Sequence, residues 1–236
     1  MQGEIRYAFN FIPVIVSAVK LYIRRGCNGS LKKEGFLQGD FDEVTLSWSA
    51  QRSTIVPKSI FNEATPDSIF ELCYGKDAMS NEIDFNRIAE LNIVNIFEIF
   101  DWVKQFFTVK FPRITIQHEG SHLIRKILTY SGSKLQVVAI LYRGYFQLII
   151  VNQNSLKFYS SFDYQSFEDV IYHLLFTLQQ QQLTNQNGSI HIISGVGENK
   201  SIHDDVVRNI GRVKDLRELK FTNVDYLVAK SQLLCV

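Results

Sequence analysis

The segment His118-Glu119-Gly120-Ser121-His122 comes nearest to a reaction centre in this 236-residue chain. In an HExxH arrangement, two histidines on one helix face hold zinc and the glutamate polarises the metal-bound water. The surrounding residues oppose that chemistry. Ile114-Thr115-Ile116, just after Pro112, has the character of a strand. Gly120 inside a helix costs about 1 kcal/mol relative to alanine. Arg125 and Lys126 stand where a third ligand would be needed. A helix that starts near Gly120 puts the two histidines on different faces. The expectation is therefore no metal site, with zinc hydrolysis through this motif as the least favoured function.

A second candidate is Gly195-Val196-Gly197-Glu198-Asn199-Lys200. It follows a strand-like run and opens a helix-like one, the setting of a phosphate-cradling loop. Lys200 occupies the place of the third glycine in a dinucleotide fingerprint, so a tight strand-to-helix turn is the simpler reading. Glu218 lies at roughly the ribose-binding distance downstream. Nucleophilic chemistry has less support. There is no GxSxG elbow, and the three cysteines, Cys27, Cys73 and Cys235, form no CxxC pair. Reduced thiols in a cytoplasm are expected. His173 is expected at a core edge, His191 pointing away from the core, and His203 in solvent. Asp204-Asp205 suits the first turn of a helix, where negative charge is favourable.

The elements that must position these groups follow from periodicity. Val44–Trp48 alternates as a half-buried strand, Ser53–Val56 extends it, and Pro57 closes it. Residues 58–74 have helical character that Pro66 should split. Glu82–Ile88 and Ile93–Ile99 are strands, and Asp101 is placed to cap a helix over Trp102–Val109. A strand over Arg113–Gln117 and a helix from about Ser121 to Tyr130 follow. Leu135–Tyr142, Tyr145–Val151 and Leu156–Ser161 form a three-strand meander with turns at Gly144 and Asn152–Asn154. Phe167, Val170, Ile171, Leu174, Leu175 and Leu178 then make a full apolar helix stripe. Ser166 with Asp169 has capping-box spacing. A strand over Ile190–Ser194, a helix over Ile202–Ile210 and a strand over Leu216–Phe221 complete the pattern. Residues 4–23 are expected to form a strand pair turning near Pro13, residues 26–40 a glycine-rich loop, and Val224–Leu234 one more strand or helix.

Composition sets the class. The chain is 46% hydrophobic and 21% charged, ordinary for a soluble globular protein. A formal charge of +1 argues against binding nucleic acid through bulk electrostatics. Asn10, Pro13 and Lys20 interrupt the apolar run Tyr7–Ile23, so no membrane span is expected there.

The order helix, meander, helix, strand, glycine loop, helix, strand resembles the second lobe of actin-like ATPases. The crossover RITIQHE–GSHLIRKIL and the hairpin LQVVAILYRGYFQLIIV are similar to those of pilus-assembly actin-like proteins. The phrases RSTIVPKSIF, NIVNIFEIF and FYSSFDYQSFEDVIYHLLFTLQQ resemble an uncharacterised bacterial family with this fold, over about residues 43–222. The resemblance implies an α/β, duplicated ribonuclease H-like, actin-like ATPase fold of two lobes with mixed sheets, residues 1–132 and 133–236.

Active members of the fold carry an Asp-x-Gly-x-Thr-like sequence in the first hairpin of each lobe, where the carboxylate organises magnesium and water. The second-lobe hairpin here has Leu141-Tyr142-Arg143-Gly144-Tyr145, with the glycine but no aspartate. No Asp-x-Gly precedes residue 43. Phe162-Asp163-Tyr164 replaces a Gly-Gly turn, and its rings are expected to fill phosphate space. Gly195 and Gly197 keep the adenosine-loop position. The resemblance thus implies a vestigial nucleotide cleft at Arg143, Gly144, Phe162, Asp163, Gly195 and Gly197, with no catalytic residue, metal or cofactor. The expected function is a non-catalytic cytoplasmic scaffold with a protein partner or a homodimer, no nucleic acid and no membrane span. The rival is a weak ATPase or nucleotide switch using Asp163 or Asp169.

Overall fold

The computed structural model describes residues 19–24, 43–76, 81–130, 134–194 and 200–223. The expected loop at 26–40, most of the strand pair at 4–23, the loop holding Gly195 and Gly197, and the segment 224–234 lie outside the described residues. Three sheets organise the remainder. In the first, β1 (Val19–Arg24) pairs antiparallel with β2 (Glu43–Trp48), and β2 pairs in parallel with β6 (Ile114–His118). In the second, β5 (Ile93–Phe100) is flanked antiparallel by β3 (Ser53–Pro57) and β4 (Asn81–Ile88).

β5 is apolar at nearly every position because both of its faces are covered. Val94 and Ile96 face Phe70 of α1 (Pro66–Tyr74), whereas Phe97 and Ile99 pack with Leu46, Trp48 and Val103 of α2 (Asp101–Lys110). The helix expected over 58–74 is shorter than its periodicity suggested. Lys58–Ile60 is a single 3-10 turn, and Pro66 starts α1 at a position where its missing N–H is no loss. Asp101 is the first helical residue; Phe100 takes the cap position without a side-chain hydrogen bond.

The C-terminal sheet is five-stranded, in the order β11-β10-β7-β8-β9. β7 (Leu135–Leu141), β8 (Tyr145–Asn152) and β9 (Ser155–Asp163) are the expected antiparallel meander. β10 (Gly188–Ser194) and β11 (Leu219–Asn223) join in parallel. On one face lie α4 (Phe167–Gln180) and α5 (Lys200–Asn209), over a core that includes Phe146, Leu148, Val170, Leu174, Val206 and Ile210. On the other lies α3 (Glu119–Tyr130), whose Leu123 and Ile124 meet Val138, Ile140 and Ile149. α4 starts with the expected Ser166–Asp169 capping box.

Two histidine and acid expectations resolve differently. His203 is buried, because it shares the inward stripe of α5 with Val206 and Ile210. α5 begins at Lys200, so Asp204 and Asp205 fall beyond its first turn. His191 is half-buried and bonds the Gln136 side chain at 2.7 Å. His173 sits at the core edge as expected, stacked on Phe162 at 4.3 Å. The arrangement is mixed α/β. The meander lies within the single sheet of the C-terminal half, while the described residues before 131 form two three-stranded sheets.

Candidate functional site

The chemistry-bearing residues converge where β2 and β6 end against the β7–β8 hairpin and β9. β6 stops at His118 and α3 begins at Glu119, so the HEGSH residues straddle a strand-to-helix junction. His118 therefore lies outside the helix that carries His122, and the two rings do not share a helix face. Its Nδ1 accepts from the Gly120 N–H at 3.1 Å and lies 3.2 Å from the Asn95 amide nitrogen. Nε2 lies 3.1 Å from Ala50 O and 3.3 Å from the Ala50 backbone nitrogen, so backbone groups hold both ring nitrogens. Burial pushes the His118 pKa down to about 4, only partly opposed by the Ala50 bond and the Glu119 charge. The ring is a neutral strut joining β5, α3 and the segment just after β2, with both nitrogens engaged by protein.

Asn86 ties this junction to β4. Its Oδ1 accepts from the His118 N–H at 2.6 Å and from the Ser121 hydroxyl at 3.3 Å, and its Nδ2 donates to Ile116 O at 3.1 Å. The side-chain amide thus pairs with the backbone of β6 much as a strand residue would. Tyr159 of β9 closes the other side, with its hydroxyl 2.8 Å from Ser53 Oγ and 3.4 Å from His118 Nδ1. Among the described residues no group of three His, Cys, Asp or Glu could hold a metal ion.

The hairpin faces the same junction. Arg143 and Gly144 form its turn, closed by the Tyr142 N–H donating to Tyr145 O at 2.9 Å. Gly144 has φ +89°, in the region that favours glycine, with open space where a β-carbon would sit. Arg143 is exposed. The Tyr142 and Tyr145 rings stack at 4.7 Å with a 10° interplanar angle. The Tyr145 hydroxyl is 3.5 Å from Ser49 Oγ. Burial first, then the nearby Glu119 charge, raises the Tyr142 pKa well above the usual phenol range. Burial likewise raises Tyr145 and Tyr159. Gln147, one pleat along from Tyr145, donates to Ala50 O at 3.3 Å.

The residues expected to line a vestigial cleft therefore divide. Arg143 and Gly144 are at the hairpin turn, and Asp163 is beside it, opposite Tyr145 in register and accepting from Gln51 Nε2 at 2.5 Å. Phe162 points to the opposite face, against Phe146 and His173. The Tyr164 ring also lies in that core, its hydroxyl donating to Tyr142 O at 2.5 Å. These two rings fill the core under α4 rather than the space in front of the hairpin, because strand alternation turns them inward. Gly195 and Gly197 lie outside the described residues. Asp169 accepts from the Gln165 and Ser166 N–H groups at 2.9 and 3.0 Å, bonds that lower its pKa.

Sequence reasoning passed over Asn86, Asn95, Gln147 and Tyr159. A signal did exist for two of them. Asn95 and Gln147 are lone polar residues inside the apolar runs IVNIF and FQLIIV, and such groups require buried partners.

Comparison with known proteins adds a family and a fold. A family model described as protein of unknown function (DUF3822) matches residues 23–211. No curated protein matches the chain. A crystal structure from Bacteroides thetaiotaomicron VPI-5482, described as a protein with actin-like ATPase fold and unknown function, superposes with TM-score 0.72 at 18% identity. The match covers 85% of this chain and 77% of that one. At that identity the likeness shows the fold alone, an actin-like ATPase fold. A PilM-PilN type IV pilus biogenesis complex matches at TM-score 0.37 and 9% identity, over 72% of this chain and 68% of that one, too weak a likeness to bear on the argument. Among the described residues no helix is long and apolar enough to cross a membrane.

Proposed function

The chain belongs to the DUF3822 family, and from that premise we propose that it is a non-catalytic actin-like scaffold whose nucleotide cleft has been given over to structural packing. The observation that carries this reading is the stacked Tyr142–Tyr145 pair set against Ser49 and the buried Glu119. In catalytic proteins of this fold a hairpin carboxylate would organise magnesium here. Neutral phenols cannot supply that charge to a triphosphate. His118, which looks most like a catalytic group, is instead a neutral buried strut. The same reading takes residues 1–132 and 133–236 as two lobes meeting at this junction, with a protein as partner and the cytoplasm as location.

One observation favours the rival, a weak nucleotide-dependent switch. Asp163 is an exposed carboxylate beside the hairpin mouth. Asp169 is a poor second candidate because the helix cap already uses it. Isothermal titration with ATP and magnesium, paired with a phosphate-release assay, separates the two. The scaffold reading expects neither binding heat nor release. Micromolar binding with turnover that Asp163→Asn abolishes would establish the switch instead.

A further inference from the structure

β9 is an edge strand. Among the described residues it pairs only with β8, and every β9 residue keeps some exposure, whereas Phe146–Asn152 of β8 are buried. β3 meets β9 through the Ser53 and Tyr159 side chains, and among the described residues no strand bonds the outer backbone edge of β9, so that edge is a template for another strand. The hydrogen-bond phase shows which groups are offered. Tyr142 and Tyr145 are a bonded pair, and Tyr164 N donates to Gly144 O at 3.0 Å. In the antiparallel alternation that follows, the even residues Phe158, Ser160 and Phe162 bond β8, so the amides and carbonyls of Tyr159 and Ser161 point outward.

We infer that this edge pairs with the same edge of a second copy of the chain, around a two-fold axis at Ser160. The strand sequence is self-complementary in that one register. Antiparallel pairing centred on Ser160 sets Tyr159 opposite Ser161 of the partner subunit, Phe158 opposite Phe162 of the partner subunit, and Lys157 opposite Asp163 of the partner subunit. Tyr159 and Ser161 then form the bonded pairs with their outward groups, about four backbone bonds over the two copies. Ser160 falls at a non-bonded pair, where side chains come closest and a small one is needed. Opposite charges close the two ends. Lys157 lies at the bulge between the Phe158 and Leu156 pairings, which ends the pairable stretch at that side.

A second observation extends the surface. Phe158 stacks with Phe162, Phe162 with His173, and Tyr172 with Phe176. This aromatic ladder leads from the edge onto α4, where Tyr172 is 61% and Phe176 47% exposed. Pairing two edges continues the sheet and brings the two α4 helices to the same side of it. The exposed rings then flank the axis, as the centre of an isologous interface requires. The inference stands apart from what the cleft binds.

The test uses sedimentation velocity on the full chain with two opposed variants. Wild type is expected to show a concentration-dependent dimer. Ser160→Glu and Ser160→Lys each place like charges across the axis and should weaken self-association by about tenfold or more. An equimolar mixture of the two should recover a dimer, an outcome that misfolding cannot produce. Amide exchange on the wild type needs no variant: Tyr159 and Ser161 amides should gain protection as concentration rises. A wild type that stays monomeric, a dimer indifferent to both charges, or edge amides with concentration-independent exchange would each overturn the proposal.

Discussion

Gly120 lies directly under the ring of Tyr159. A β-carbon at Gly120 would sit 2.3 Å from the Tyr159 hydroxyl oxygen and 2.7 Å from its ring carbon Cζ. That contact explains the glycine at the centre of the HEGSH segment. It lets β9 cross the first turn of α3, so that the Tyr159 hydroxyl reaches Ser53 and His118. Gly120→Ala is expected to cost about 1–3 kcal/mol, the range for overpacking a tight interior. Gly211→Ala, where nothing lies within 4 Å, is the control and should change stability far less. Urea denaturation of both variants measures the difference; equal effects would contradict the packing account.

Gly144 depends on backbone conformation rather than space. Its φ is +89° and nothing lies within 4 Å of the place a methyl group would take, so Gly144→Ala meets strain alone. The expected loss is about 1–2 kcal/mol. Because the strain is confined to the turn, hydrogen exchange should rise mainly in the β7–β8 hairpin.

His118 gives a pH signature. Its folded pKa is about 4 against an ordinary value of 6.5, so the unfolded chain binds the proton more readily. The stabilising contribution of the neutral ring is complete above pH 6.5, declines as pH falls, and is gone near pH 4. The whole contribution is on the order of 3 kcal/mol for a shift of this size. His118→Gln should be less stable at pH 7 and should flatten the stability–pH curve across that window. The same slope in variant and wild type would show that another group is responsible.

Asn86 can be tested by an isosteric change. Asn86→Asp keeps the shape but turns an oxygen toward Ile116 O, where the amide now donates. Loss of that bond and a half-buried mismatch predict about 1–2 kcal/mol of destabilisation at neutral pH. Chemical denaturation gives the total, and amide exchange along β6 locates it.

Asp169 offers a contrast between fold and chemistry. Its pKa is lowered by the Gln165 and Ser166 N–H groups, so its stabilising effect is present above the ordinary carboxylate range and fades as pH falls through the lowered value. Asp169→Asn should therefore be less stable than wild type at neutral pH, with the two converging in acid. Thermal melts across pH check this; equal melting points at neutral pH would remove the capping role.

Much of the fold was legible because its signals are local. The α4 stripe, the three-strand meander and the strand character ahead of His118 each follow from the spacing of neighbouring side chains. The resemblance to an actin-like family also held, since the motifs quoted for it lie within the matched family region. The failures share one cause. His203 was misplaced because its burial depends on which face of α5 meets the sheet. Phe162 and Tyr164 were assigned to the cleft because chain position alone does not show which way a strand turns its rings.

The sequence by itself determined a strand-to-helix break between Gln117 and about Ser121, through a β-type run followed by an amphipathic one; the structure places it at His118–Glu119 and so separates the two histidines. It also determined that the β7–β8 turn has glycine but no acid. Only the tertiary structure decided which groups meet at the strand-to-helix junction. Asn86, Asn95, His118 and Tyr159 come from four strands, and their contacts exist only once parallel and antiparallel pairings have set the registers. A side chain's partner across such distances in sequence is chosen by packing, which no local pattern encodes.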